Sequence, residues 1–219
     1  YSRFLSFAVW RWISVVVPGL CCLLGGKKTV GEGERRKREE NKNMGLFESK
    51  QQLDIVCCGL DNSGKSTIIN QLKPTKLRSD NLSATVGYQV EEFEKGKVKF
   101  KVFDMGGAKK FRGLWELHYK DVQGLIFVID SSDAIRLVLV KDEIRMICEN
   151  PDLKRIPILF YANKADIPGA KTHHELTEEL ALAEMMGDRP FNMFPSDARR
   201  GTGVEEGINW LTARLAPPK

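Results

Sequence analysis

Gly59-Leu60-Asp61-Asn62-Ser63-Gly64-Lys65-Ser66 fits the pattern G-x-x-x-x-G-K-[ST], and its neighbours decide how it is read. Before it, Leu53–Cys58 is short, apolar and strand-prone; after it, Thr67–Lys73 carries apolar residues at helical spacing until Pro74 stops the pattern. Strand, glycine loop and helix form the context a phosphate-binding loop requires. Gly59 and Gly64 permit backbone angles that a Cβ would block, so the loop's N–H groups converge on an anion at the positive end of the helix. Lys65 is then placed for the β- and γ-phosphates, and the Ser66 hydroxyl for Mg²⁺. The competing reading is a chance glycine turn, which the motifs further along the chain weigh against.

Outward from the loop, strands and helices alternate. Val86–Glu94 and Lys97–Asp104 alternate apolar and polar residues around Lys95-Gly96, which predicts a β-hairpin. Phe111–Lys120 is helix-compatible, although Gly113 weakens it. Gly124–Asp130 and Ile156–Ala162 are continuously apolar, as buried parallel strands are. Ser131–Asn150 and Thr172–Met186 read as helices, the second opened by a capping box of Thr172 and Glu175. Phe191–Ser196 is a short strand and Gly203–Leu215 a final helix. The expectation is an α/β domain over 53–219, with a mostly parallel six-stranded sheet, helices on both faces and the hairpin at an antiparallel edge. Ligands of such sheets sit at the carboxyl ends of the strands.

Two further motifs fall at strand ends. Asp104-Met105-Gly106-Gly107 is D-x-x-G, where the Asp holds Mg²⁺ through water and the Gly107 N–H touches a γ-phosphate. Asn163-Lys164-Ala165-Asp166 is N-K-x-D. Its carboxylate can accept two N–H bonds from guanine, a pair that adenine does not present, and the Lys164 stem can cover the base. Each motif alone is a common turn; in this order and context they specify a guanine nucleotide.

Net charge is +5, and it is uneven. Residues 1–43 hold nine Lys/Arg and four Asp/Glu, so they carry 9 − 4 = +5 and the remainder is neutral. A neutral domain argues against nucleic-acid binding, and the basic extension points to a membrane surface. The chain begins at Tyr1, which is either a fragment or an unusual gene model. Phe4–Leu24 is mostly apolar but holds Arg11 and Pro18, leaving a run too short to span a bilayer comfortably. It reads as a membrane-lying or signal-anchor segment, a targeting peptide, or sequence outside the working protein; Gly25–Asn43 then reads as a linker. Met44-Gly45-Leu46-Phe47-Glu48-Ser49 has the form of an N-myristoylation signature, which requires translation to start at Met44 and leave Gly45 free. Cys57 and Cys58 in the first strand read as reduced core residues of a cytosolic protein.

With these motifs in place, the chain from about Leu53 to Leu215 resembles the Arf/Arf-like family of small GTPases. Thr85-Val86-Gly87-Tyr88, Phe103-Asp104-Met105-Gly106-Gly107, Arg112, Leu114-Trp115 and Val128–Asp133 carry the likeness, as do Gly203–Gly207 and Trp210-Leu211. Ile68–Pro74 and Ser196-Asp197-Ala198 look closest to the ciliary Arf-like branch that recruits the Bardet–Biedl coat complex. The resemblance implies GTP/GDP and Mg²⁺ as ligands and a peripheral-membrane switch in vesicle or ciliary traffic. It implies a monomer that meets an exchange factor, an activating protein and effector or coat proteins. Gly59, Asp61, Asn62, Ser63, Gly64, Lys65, Ser66 and Thr67 would surround the phosphates, with Ser66 and Thr85 on the metal. Gly107 would sense the γ-phosphate, and Asn163, Lys164, Asp166 and Ser196 would serve the base. Tyr88, Phe103 and His118 fall where the family has an effector-binding aromatic triad; His118 replaces the usual aromatic ring there, and the competing and favoured reading is an ordinary half-buried helix residue.

Three departures stand out. Ala108 replaces the Gln that positions the attacking water, so slow hydrolysis is expected, or nucleotide binding without useful turnover. Phe194-Pro195-Ser196 replaces Cys-Ala-[ST] in the last base loop, and Pro195 has no N–H to offer guanine. Only Leu46–Gln52, within the segment 44–52, is available for the family's N-terminal amphipathic helix, so attachment through it would be weak without an acyl chain.

Overall fold

The computed structural model describes residues 50–215. Six strands are present: β1 (Gln51–Cys58), β2 (Tyr88–Lys95), β3 (Val98–Met105), β4 (Gly124–Asp130), β5 (Ile158–Asn163) and β6 (Phe191–Ser196). They form one sheet in the order β2-β3-β1-β4-β5-β6, parallel throughout except for the β2–β3 hairpin. The helices are α1 (Lys65–Leu72), α2 (Lys109–Arg112), α3 (Leu137–Glu149), α4 (His173–Glu179), α5 (Leu182–Met186) and α6 (Val204–Leu215).

The sheet's position follows from its residues. All seven residues of β4 are buried, so it can only be a central strand. Leu125, Phe127 and Ile129 pack on one face with residues of α3, α4 and α5; Ile126 and Val128 pack on the other with residues of α1 and α6. β2 is largely exposed and keeps Phe93 inside, stacked on Phe100 at 5.3 Å between ring centroids. Because β1, β3, β4, β5 and β6 run the same way, Cys58, Met105, Asp130, Asn163 and Ser196 end along one edge. The predicted motifs meet there.

Several boundaries differ from expectation. Phe111–Lys120 is not one helix. α2 stops at Arg112, and a 3₁₀ turn at Trp115–His118 follows, with Trp115 buried and tied to Gly106. The helix expected over Ser131–Asn150 begins later, because Asp133 caps a 3₁₀ turn at Ala134–Arg136 first. Thr172–Met186 carries the expected capping box but divides at Ala181, whose φ of 53° ends α4 and starts α5. Gln51 and Gln52, assigned to the segment before the domain, pair with Val98 and Lys99 in the sheet. The extension 1–43 and Met44–Ser49, including Gly45, Leu46 and Phe47, lie outside the described residues. Cys57 and Cys58 are free and buried, and burial pushes both thiols up. No helix among the described residues is long and apolar enough to cross a membrane.

Candidate functional site

The loop between β1 and α1 turns on Gly64, at φ +97°. A Cβ there would stand 2.2 Å from Asn163 Nδ2, so glycine is required both for the angle and for the approach. Asn62 also takes a left-handed conformation, at φ 61°. Lys65 is buried, and its Nζ donates to the Leu60 carbonyl at 2.8 Å. Burial pulls its pKa down, and the nearby Asp104 carboxylate works against that. An anion in this loop would therefore meet a cation with little water of its own.

Three oxygens converge beside it. The Ser66 hydroxyl donates to Asp104 Oδ2 at 2.5 Å, and Thr85 Oγ1 lies 3.0 Å from Ser66 Oγ and 3.2 Å from the same carboxylate oxygen. Asp104 is 2% exposed, and its Oδ1 has no hydrogen-bond partner. Burial raises its pKa, against the Ser66 hydroxyl and the Lys65 charge. A hydroxyl pair and a carboxylate with an orphaned buried oxygen form a hard-oxygen donor set, which suits Mg²⁺. Ser66 and Thr85 would hold the ion directly and Asp104 would hold its waters.

The D-x-x-G turn is clamped from behind. The Trp115 indole N–H donates to the Gly106 carbonyl at 3.0 Å, and the Gly106 N–H donates to Gly87 at 2.8 Å. In a trans peptide the N–H points opposite to the C=O, so the Trp115 bond turns the Gly107 N–H away from the core. Gly107 lines a cavity of about 360 Å³ together with Asp61, Lys65, Ser66, Thr85 and Ala108. A Cβ on Gly107 would lie 2.3 Å from the Asp61 nitrogen. Ala108 is on the wall of this cavity.

A second cavity, of about 280 Å³, adjoins the first and shares Asn62, Gly64 and Thr67 with it. Asn163, 2% exposed at the end of β5, joins the two. Its Nδ2 donates to the Ser63 carbonyl at 2.8 Å, and its Oδ1 accepts the Ala198 N–H at 3.0 Å. Ser63 thus contributes its carbonyl, not its buried hydroxyl. Lys164, at φ 62°, pairs with Asp130, whose carboxyl sits below its usual range: burial would raise it, but bonds from Lys164 and Ser132 outweigh that. This pair was not legible from the motif. Asp166 is exposed and lines the cavity, as a base-reading carboxylate must.

The last base loop is displaced from where the sequence reading put it. Pro195 lies within β6, paired with Ala162 and exposed, and does not line the cavity; Asp197, Ala198 and Arg199 do. β6 is an edge strand, where a residue without an N–H is tolerated. The Ser196 hydroxyl donates to Asn163 Oδ1 at 3.3 Å, so Ser196 supports Asn163 and does not itself face the base. Asp197 shapes the loop by accepting the Arg199 N–H at 2.9 Å. The readable signal was the alanine at 198, one turn before Gly203.

His118 is half-buried, as expected, and it is also part of a ring cluster. It sits in the 3₁₀ turn, with its ring 4.3 Å from Tyr88 and 5.0 Å from Phe103 between centroids, so the three positions form one cluster. Exposed Leu117 and Val90 flank the same end of the hairpin.

A phosphate loop joined by a D-x-x-G turn and a guanine-reading N-K-x-D turn, on this sheet order, defines a small GTPase. The model of the ADP-ribosylation factor family matches residues 41–215. The chain belongs to that family, whose members are GTP-binding switches that hydrolyse GTP. It is 41% identical over 186 residues to ADP-ribosylation factor-like protein 6 of Danio rerio, covering 80% of this chain and all of that protein. It is 40% identical to the protein of the same name from Caenorhabditis elegans, covering 78% and 95%. Among solved structures, the Arl6 BBS3 small GTPase of Trypanosoma brucei, bound to the nucleotide analogue GppNp, matches with a TM-score of 0.72. That protein is 53% identical, and the match covers 75% of this chain and 98% of that one.

Proposed function

We propose that this chain is a slowly hydrolysing GTP switch of ciliary membrane traffic, which stays loaded for long periods and recruits a coat or effector while loaded. The likeness to Arl6 proteins supports the setting. The cluster of Tyr88, Phe103 and His118, with exposed Leu117 and Val90, supports effector docking beside the switch that Thr85 and Gly107 close.

The observation that carries the slow turnover is Ala108 on the phosphate cavity wall. Bound Mg²⁺ would supply charge neutralisation on the β- and γ-oxygens. Lys65 holds the phosphates, the Gly107 N–H faces the cavity, and Asp166 selects the base. No side-chain amide at 108 orients the attacking water. The neighbouring Lys109 and Lys110 carry donors only, and a donor cannot accept the water's proton. A pseudo-GTPase that binds nucleotide without useful turnover is the second reading, and Ala108 is what favours it.

Single-turnover hydrolysis of bound GTP tests this. Ala108→Gln raises the rate by roughly 10-fold or more while nucleotide affinity stays within about twofold. Equal rates for wild type and variant would show that position 108 does not orient the water. An activating protein that accelerates wild type would exclude the pseudo-GTPase reading.

Membrane attachment is proposed through Gly45 with Met44 as the working start. Labelled myristate on Gly45, lost in Gly45→Ala together with membrane binding, is the expected result. Membrane binding that survives Gly45→Ala and disappears on deletion of residues 1–43 would assign it to the extension instead.

A further inference from the structure

Glu143 lies on α3 and lines neither cavity, yet it is a buried carboxylate at 9% exposure. Its one ion-pair partner among the described residues is Arg112, from the end of α2. That guanidinium reaches three elements. Its Nη1 donates to Glu143 Oε1 at 2.9 Å, its Nε donates to the Gly107 carbonyl at 2.9 Å, and its Nη2 lies 3.9 Å from Asp61 Oδ1 on the phosphate loop. Arg136, from the turn before α3, takes the other Asp61 oxygen at 3.2 Å. One planar fork therefore joins α3, the glycine of D-x-x-G and the phosphate loop, a geometry that lysine cannot reproduce.

We propose that Glu143 is a positioning residue for nucleotide discrimination. Acting through Arg112, it holds Gly107 against the phosphate loop and so favours the triphosphate over the diphosphate. The physical reason is the cost of an unpaired buried charge. If the D-x-x-G turn bearing Gly107 withdraws and Arg112 follows it, Glu143 is left buried without a partner. If Arg112 stays, Gly107 loses the bond that orients its carbonyl. Either way withdrawal is penalised. Only a nucleotide with a γ-phosphate uses the closed position, so the bias is read as differential affinity. The proposal rests on the reading of the chain as a GTP switch.

The test uses the full chain with Mg²⁺ and compares dissociation of fluorescent GppNp with that of fluorescent GDP. Glu143→Gln should speed GppNp release by about tenfold and GDP release by less than about twofold, within the range of ordinary coupling between sites. Arg112→Lys keeps a cation against Glu143 but gives up the fork. It should show the same selective acceleration, and it serves if Glu143→Gln does not fold. Equal acceleration for both nucleotides, or none for either, in whichever variant folds would overturn the proposal while leaving the switch reading intact. Wild type that failed to retain guanine nucleotide would overturn both.

Discussion

The phosphate side of the site comes from one run, residues 59–66, closed by Thr85, Asp104 and Gly107; the base side is gathered from Ser63, Asp130, Asn163, Lys164, Asp166 and Ala198, spread over 136 positions of the chain. The first joins backbone geometry to four functional side chains, Lys65, Ser66, Thr85 and Asp104, packed together. The second is mostly side chains, each held by another: Lys164 by Asp130, Asn163 by Ser196, the last loop by Asp197. The difference teaches where damage spreads. A change in the phosphate loop removes one ligand function. A change at Asn163 disturbs both halves, because its two ends bond to the phosphate loop and to the last base loop.

Asn163→Ala is therefore the largest expected effect. It orphans the buried Ala198 N–H and the Ser63 carbonyl, at about 1–3 kcal/mol each, so stability should fall by about 2–6 kcal/mol. Urea unfolding at fixed GDP, alongside nucleotide titration, measures it. A variant that lost base affinity alone, with unchanged unfolding, would break the view of Asn163 as the joint between halves.

Ser66→Asn comes next and belongs to the phosphate half alone. Losing a direct metal ligand costs several kcal/mol, so affinity for GTP–Mg²⁺ should fall by more than about 100-fold, with unfolding little changed. Binding of GTP–Mg²⁺ at wild-type strength would mean that the Ser66, Thr85 and Asp104 cluster is not the metal site.

Asp166→Asn is the side-chain counterpart on the base half. Two charge-assisted bonds become one matched contact and one mismatch, so guanine affinity should fall by roughly 10- to 100-fold while xanthine nucleotides gain. Asp166 is exposed, so unfolding should not move. Competition between GTP and XTP reads it directly, and retained guanine preference would remove Asp166 from the base site.

The smallest effect sharpens the comparison by its absence. Pro195→Ala should leave GTP affinity within about twofold, since Pro195 is an exposed edge-strand residue whose missing N–H faces no ligand. Tighter binding in the variant would return Pro195 to the base loop and undo the register described for β6.

By itself the sequence determined the sheet, the phosphate loop and the chemistry of the ligand. Those depend on local patterns: apolar runs at Gly124–Asp130 and Ile156–Ala162, a glycine at the left-handed position 64, and a carboxylate three residues after Asn163. Local preference suffices where the physics is local. Tertiary structure alone decided that Ala198 and not Pro195 lies beside the base, because that depends on where β6 ends against β5, at the pairing of Asn163 with Ser196. It alone decided that His118 packs between Tyr88 and Phe103, because a 3₁₀ turn replaced the helix once Trp115 was drawn into the core. And it alone joined Glu143 to Gly107 through Arg112, since a buried charge selects its partner by proximity in the fold, which spacing along the chain does not encode.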